Sequence, residues 1–252
     1  MEQEVKGALF ATHEREVRES SFAMREREIG GTAFVAHELK APLAILRQLA
    51  LSLGEMDETN ERLRLEMISV SERAIKQVND LTKIHRLGES GIFGLEPISV
   101  REVCDAASRE LDALFKYNRR GLTVNYHNHA KLVTANRDLL YSVVYNFLLN
   151  AMHYSGKDTC AELTVHDSRQ NVKVSIRDYG PALPLDVWRV LKSGELRKPT
   201  GIAMRPGSSG LGLFIASQFS KYMNAKIGAV RHRDGTSFFV DLPVSRQASL
   251  FS

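Results

Sequence analysis

Between Leu39 and Ile84, apolar residues recur at alternating intervals of four and three, a spacing that only a helix turns into one continuous stripe. Leu39, Leu43, Leu46, Ala50 and Leu53 form the first run. Leu63, Met67, Val70, Ala74, Leu81 and Ile84 form the second, with Gln77 the polar exception. "GEMDETN" separates them, so the spacing predicts a helical hairpin. Two helices that each carry one apolar stripe cannot cover both stripes alone. A two-fold dimer that closes a four-helix bundle is the expected solution.

Residues 1–30 are rich in Glu and Arg, as in "HEREVRESSFAMREREI", and read as an exposed N-terminal helix without a strict heptad. Gly30-Gly31 interrupts it, and the hairpin occupies 31–90. "GESGIFGLEP" then carries three glycines and a proline, a linker signal. From 91 to 248 the pattern becomes mixed. "VREVCDAASRELDALFKYN", "DLLYSVVYNFLLNAMHYS" and "GLGLFIASQFSKYMN" read as helices, and "GLTVNYH" and "KLVTA" as strands. "AELTVHDSRQNVKVSIRD" and "AKIGAVRHRDGTSFFVDLPV" read as hairpins, the second turning at Asp234-Gly235. The expected fold class is therefore an all-α dimeric helical hairpin followed by an α/β sandwich.

The chain has 252 residues and 34 basic against 30 acidic side chains, a net charge of +4. No dense basic stripe interleaves with aromatics, so nucleic acid is not an expected partner. No apolar run approaches the ~18 residues of a membrane span, so the chain reads as cytoplasmic in character, whether whole or part of a longer receptor. Cys104 and Cys160 lack metal-site spacing and are expected to be core thiols.

Four stretches carry candidate chemistry. In "FVAHELKAPL", His37 precedes Leu39 by two residues and so points about 200° away from the apolar stripe. A solvent-facing imidazole beside Glu38 fits either a solvated surface pair or a nucleophile whose tautomer the carboxylate selects. In "NFLLNAMHY", Asn146 and Asn150 share one face of an apolar helix, with His153 and Tyr154 a turn further on. The amides fit either backbone-satisfied core groups or hard oxygen ligands for Mg²⁺ beside phosphates. In "DYGPA", Asp178 ends a strand, and Gly180 follows it. This is either a plain turn or an acceptor for an exocyclic amine with room for a flat base above the glycine. In "GSSGLGLFIA", Gly207, Gly210 and Gly212 open an apolar helix, the arrangement that lets backbone N–H groups cradle phosphate. It lacks the G-K-[ST] of a P-loop. Residues 183–206 form a long stretch of low periodicity with Lys192, Arg197, Lys198 and Arg205, either a lid or a surface excursion.

Taken in this order, the four stretches resemble the H, N and two glycine boxes of the sensor histidine kinases of two-component signalling. The resemblance covers roughly residues 31–248. It implies a dimerisation and histidine phosphotransfer hairpin followed by a Bergerat-type ATP-binding domain, with ATP and Mg²⁺ as cofactors. The partners it implies are a second copy of the chain, a response regulator receiver domain, and an upstream sensor domain or protein signalling through the N-terminal helix. Carried over, it makes His37 the phosphoacceptor and Glu38 its acidic partner. Asn150 becomes the Mg²⁺ ligand, with Asn146 beside it. His153 would contact phosphate and Tyr154 would pack on the nucleotide. Asp178 would read the adenine amine, Gly180 would lie beneath the base, and Gly210, Leu211 and Gly212 would wrap the phosphates.

The sequence departs from the family pattern at several positions. Ala182 replaces a second glycine of the first glycine box, and Ser208 a glycine of the second. "VWRVL" around Trp188 is the nearest approach to a phenylalanine-rich motif. Ala41, one helical turn past His37, stands where the family carries Thr or Asn to position hydrolytic water, which implies weak phosphatase activity. The alternative expectation is a degenerate, non-catalytic dimeric scaffold, favoured by Ala182 and the missing phenylalanine motif.

Overall fold

The computed structural model describes residues 43, 44, 46–48, 50 and 51, and then 58–88, 92–127, 131–193 and 210–245. The chain divides into two compact units, Met1–Gly88 and Glu89–Ser252. The N-terminal helix expected over 1–30 lies outside the described residues, as do His37, Glu38 and Ala41.

In the first unit, α1 spans Glu58–Arg86, and the described residues from 43 to 51 are also helical. Arg47 Nε donates to Glu72 Oε1 at 3.1 Å and ties the two stretches together. Ala50, Ser71, Val78 and Asp80 are buried, whereas Leu46, Met67 and Val70 are 47%, 43% and 48% exposed. Ser71 and Val78 each follow a member of the expected stripe by one residue. The single chain thus buries Ala50 of the stripe together with Ser71 and Val78 beside it, and leaves Leu46, Met67 and Val70 of the stripe open. No described helix is long and apolar enough to cross a membrane.

The second unit begins with a short strand, β1 (Glu96–Ser99), followed by α2 (Val100–Tyr117), β2 (Gly121–His127), β3 (Leu132–Ala135) and α3 (Arg137–Tyr154). Then come β4 (Cys160–Asp167), β5 (Asn171–Asp178), α4 (Leu185–Ser193), α5 (Leu211–Tyr222), β6 (Lys226–His232) and β7 (Gly235–Pro243). β1 and β3 make an antiparallel pair of their own, with Ile98 opposite Val133. The main sheet has the order β2-β4-β5-β7-β6. β2 and β4 run parallel, with Gly121 opposite Cys160. The β4–β5, β5–β7 and β6–β7 pairs are antiparallel.

One face of the sheet builds the core. Along β5, Val172, Val174 and Ile176 are fully buried, and the residues between them are half-buried, the period of two that a one-sided sheet requires. Leu163 and Val165 of β4 and Phe238, Val240 and Leu242 of β7 join them. α3 packs on β4, β5 and β7; α2 packs on α3 and β2, and α5 on α3 and β6. α3 is apolar nearly all round because it is covered nearly all round. Phe147 stacks on Phe238 with ring centroids 5.8 Å apart. Asn136 caps α3, its Oδ1 accepting from the backbone N–H groups of Asp138 and Leu139.

Three features correct the sequence reading. α4 lies within the stretch 183–206, and β1 was not foreseen. The cysteines also differ from one another: Cys104 is buried in α2, but Cys160 is exposed at the start of β4 and is no core thiol. Burial pushes the Cys104 thiol far up, and the neighbouring Asp105 adds to it. In the native chain a thiol reagent at neutral pH should therefore modify Cys160 and spare Cys104, with both reacting in urea; peptide mass mapping distinguishes the two.

Candidate functional site

α3, the turn after β5 and the start of α5 supply the described candidate residues, and the backbone brings them together at very short range. Asn146 is 5% exposed. Its Nδ2 donates to Ser142 O one turn back at 2.8 Å, which fixes the amide on the helix surface. The opening of α5 lies against that amide. A Cβ at Gly212 would stand 2.9 Å from Asn146 Oδ1, so the residue there must lack one for α5 to seat as it does.

The second approach is closer. A Cβ at Gly180 would stand 2.0 Å from the carbonyl oxygen of Tyr154, the last residue of α3. The "DYGPA" turn is therefore pressed onto the C-terminal end of α3, and Gly180 has a reason for its identity inside the protein itself. Asp178 is 1% exposed, and its Oδ1 accepts from Gly180 N–H at 3.1 Å, closing the turn. Ser155, which caps α3 at its far end, accepts from Tyr179 N–H at 3.4 Å.

α5 begins without a side-chain cap. Its N-cap is Gly210, buried and in the left-handed region at φ 69°, with Leu211 and Gly212 the first helical residues. The leading N–H groups of a helix have no partner inside it and carry the positive end of its dipole. An uncapped, glycine-opened helix start is chemically suited to an anion.

Asn150 is half-buried, one turn beyond Asn146, and His153 is exposed. The His153 ring meets that of Tyr154 edge-on, with centroids 6.2 Å apart. The structure therefore joins Asn146 to Gly212, Asp178 to Gly180, and Gly180 to Tyr154, while Asn150 and His153 sit on the α3 surface between these contacts. Gly207, Ser208, Arg197, Lys198 and Arg205 lie outside the described residues. Ala182 is half-buried in the segment leading to α4.

Two neighbours were missed by sequence reasoning. Thr236 is fully buried opposite Asp178 in the β5–β7 register, and its hydroxyl accepts from Leu183 N–H at 3.2 Å. The "DGTSF" hairpin turn was legible, but its pairing with the end of β5 was not. Tyr179 donates to Glu162 Oε1 at 2.6 Å, and Arg177 covers its ring at 4.6 Å. The hydrogen bond to Glu162 raises the Tyr179 pKa. Trp188 turns out to be an anchor: its Nε1 donates to Ala229 O at 3.1 Å and holds α4 to β6.

Comparisons with known proteins agree with this architecture. Residues 135–246 match the family of histidine kinase-, DNA gyrase B- and HSP90-like ATPases. The chain is 27% identical over 213 residues to the probable sensor histidine kinase TcrY of Mycobacterium tuberculosis, covering 83% of this chain and 44% of that protein. It is 25% identical over 218 residues to the histidine protein kinase SaeS of Staphylococcus aureus, covering 82% of this chain and 61% of that one. It thus spans about half the length of these curated relatives. Among solved structures, full-length ShkA in complex with AMPPNP superposes with a TM-score of 0.61 at 19% identity, over 86% of this chain and 46% of that one. The histidine kinase ThkA in complex with the response regulator protein TrrA gives 0.60 at 16% identity, over 94% and 67%. Residues 135–246 thus match the ATPases of the histidine kinase, gyrase B and HSP90 type, and over most of its length the chain is similar to sensor histidine kinases.

Proposed function

We propose that the chain is an ATP-dependent protein-histidine autokinase that phosphorylates His37 and passes the phosphoryl group to an aspartate of a response regulator receiver domain. The observation that carries this reading is the convergence of the Asn146–Asn150 face, the Asp178–Gly180 turn and the uncapped start of α5. Similarity to sensor histidine kinases supports it, and so does the likeness to the histidine kinase ThkA, which has been solved in complex with a response regulator protein.

In this reading the N–H groups at Gly210, Leu211 and Gly212 receive phosphate oxygens, and His153 adds a donor at their edge. Asp178, an acceptor-only carboxylate, takes the exocyclic amine of adenine, with Gly180 beneath the base and Tyr154 packed beside it. The half-exposed amide of Asn150 fits a hard cation. It would hold Mg²⁺, which when bound supplies charge neutralisation across the phosphates. The neutral His37 imidazole attacks the γ-phosphorus, the bond to the β–γ bridging oxygen breaks, and ADP departs. Glu38 accepts the ring proton. Positioning and charge neutralisation supply most of the acceleration.

The hairpin at 31–90 acts as the dimerisation and phosphotransfer domain, the region 91–248 as the ATP-binding domain, and residues 1–30 as the connection to a sensor. The exposed Leu46, Met67 and Val70 favour a homodimer, because a second copy of the same face would cover them.

Three outcomes are expected. Incubation with γ-labelled ATP and Mg²⁺ should give an acid-labile, base-stable label that disappears in His37→Gln; an unlabelled wild-type chain would leave only a dimeric scaffold. Ala41 cannot orient water, so the chain with ADP should accelerate dephosphorylation of a phosphorylated regulator little, and Ala41→Thr more. Gly212→Ala should push the start of α5 off Asn146 and weaken ATP binding about tenfold, or ~1.4 kcal/mol, as read by titration with a fluorescent ATP analogue.

A further inference from the structure

The stretch "IFGLEP", the second half of the linker signal, is held by the second unit. Tyr222 Oη donates to the carbonyl oxygen of Phe93 at 2.9 Å. The two rings meet edge-on, with centroids 6.3 Å apart and planes at 81°. One residue later, Asn136 Nδ2 donates to the carbonyl oxygen of Gly94 at 3.1 Å. Pairing with β3 then takes over, from Glu96 opposite Ala135 onward. Phe93 is half-buried, while its apolar neighbours Ile92 and Leu95 are each 38% exposed. The chain therefore turns one aromatic inward and is gripped there.

The origin of the two gripping side chains matters. Tyr222 is the last residue of α5, whose first residues are Leu211 and Gly212. Asn136 is the N-cap of α3, which carries Asn146 and Asn150 further on. The two helices that build the candidate site thus each use the end remote from it to hold the entering chain. Their mutual seating runs through the Gly212–Asn146 contact. Asn136 does both jobs with one amide: Oδ1 accepts from the helix N–H groups, and Nδ2 holds Gly94.

We propose that Tyr222 and Asn136 form a clasp on Phe93–Gly94 that fixes where the chain enters the ATP-binding unit, and that this clasp serves delivery of bound nucleotide to the phosphoacceptor rather than nucleotide binding. Tyr222 and Asn136 are positioning residues in this sense. The inference rests on the autokinase reading above. Its physical basis is effective concentration. A tethered encounter weakens roughly as the −3/2 power of free tether length, so a released clasp that doubles that length lowers the encounter frequency about threefold.

The test uses the full chain and two near-isosteric substitutions, separately and together. Tyr222→Phe keeps the ring and removes the hydrogen bond. Asn136→Asp keeps the acceptor that caps α3 and removes the donor to Gly94, which avoids the loss of stability that Asn136→Ala would bring. Three readouts are taken: amide hydrogen exchange of the peptide containing residues 92–99, whose β1 N–H groups pair with β3 just beyond the clasp, affinity for a fluorescent ATP analogue, and the autophosphorylation rate at saturating ATP. The double variant should exchange faster over 92–99, bind nucleotide within twofold of wild type, and autophosphorylate about threefold or more slowly. Faster exchange with an unchanged rate would overturn the proposal, as would a rate loss matched by an equal loss of affinity, or unchanged exchange. A wild-type chain that takes no label overturns the autokinase reading and the delivery role with it. A labelled wild type with an unaffected double variant sinks the clasp alone.

Discussion

The seating of α5 on α3 governs the rest of the second unit. It depends on a steric condition at one atom position: Gly212 must offer no Cβ to the Asn146 amide. That amide cannot retreat easily, because its nitrogen is tied to Ser142 O. The direction of the α5 start, and with it the direction of its leading N–H groups, follows from this contact. The same principle recurs at the other end of α3, where Gly180 approaches the Tyr154 carbonyl oxygen. Interiors are packed closely enough that a single methyl group at either place has to displace backbone or a fixed side chain.

Several candidate residues are consequently parts of the fold in their own right. Asn146 is both a helix-surface amide and the floor on which α5 rests. Asp178 closes its own turn through Gly180 N–H and lies beside the fully buried Thr236 of β7. Groups held in this way lose little freedom when a ligand arrives, which is the physical advantage of a site built from packed elements rather than loops. Asn150 and His153 stand apart from this scaffolding role, being half-buried and exposed on the same helix.

Much of the second unit was legible from local pattern. "VREVCDAASRELDALFKYN" is α2, which the structure shows capped by Ser99, and the two hairpins turn where alternation and Asp234-Gly235 indicated. The short β1 escaped notice because four residues with a proline carry almost no periodic signal, and the pairing of Ile98 with Val133 is what makes it a strand. α4 escaped because its nine residues are too few to show a clear helical period, and it is the burial of Val187 and Leu191, with the Trp188 bond to Ala229 O, that holds it in place. Cys160 was taken for a core thiol, since nothing local tells which face of β4 meets helices. In the first unit the apolar stripe was visible, but not that the single chain buries Ser71 and Val78, one position away from it.

The sequence by itself determined the kinds of element, their order, and the chemical character of each candidate group, because periodicity, capping and turn chemistry act over a few neighbouring residues. Only the tertiary structure decided that β2 runs parallel beside β4, that Gly180 and Gly212 answer to Tyr154 and Asn146, and that Phe93 and Gly94 are gripped by Tyr222 and Asn136. Those contacts join residues far apart in the chain. Their existence depends on how whole faces pack, which no short window of residues encodes.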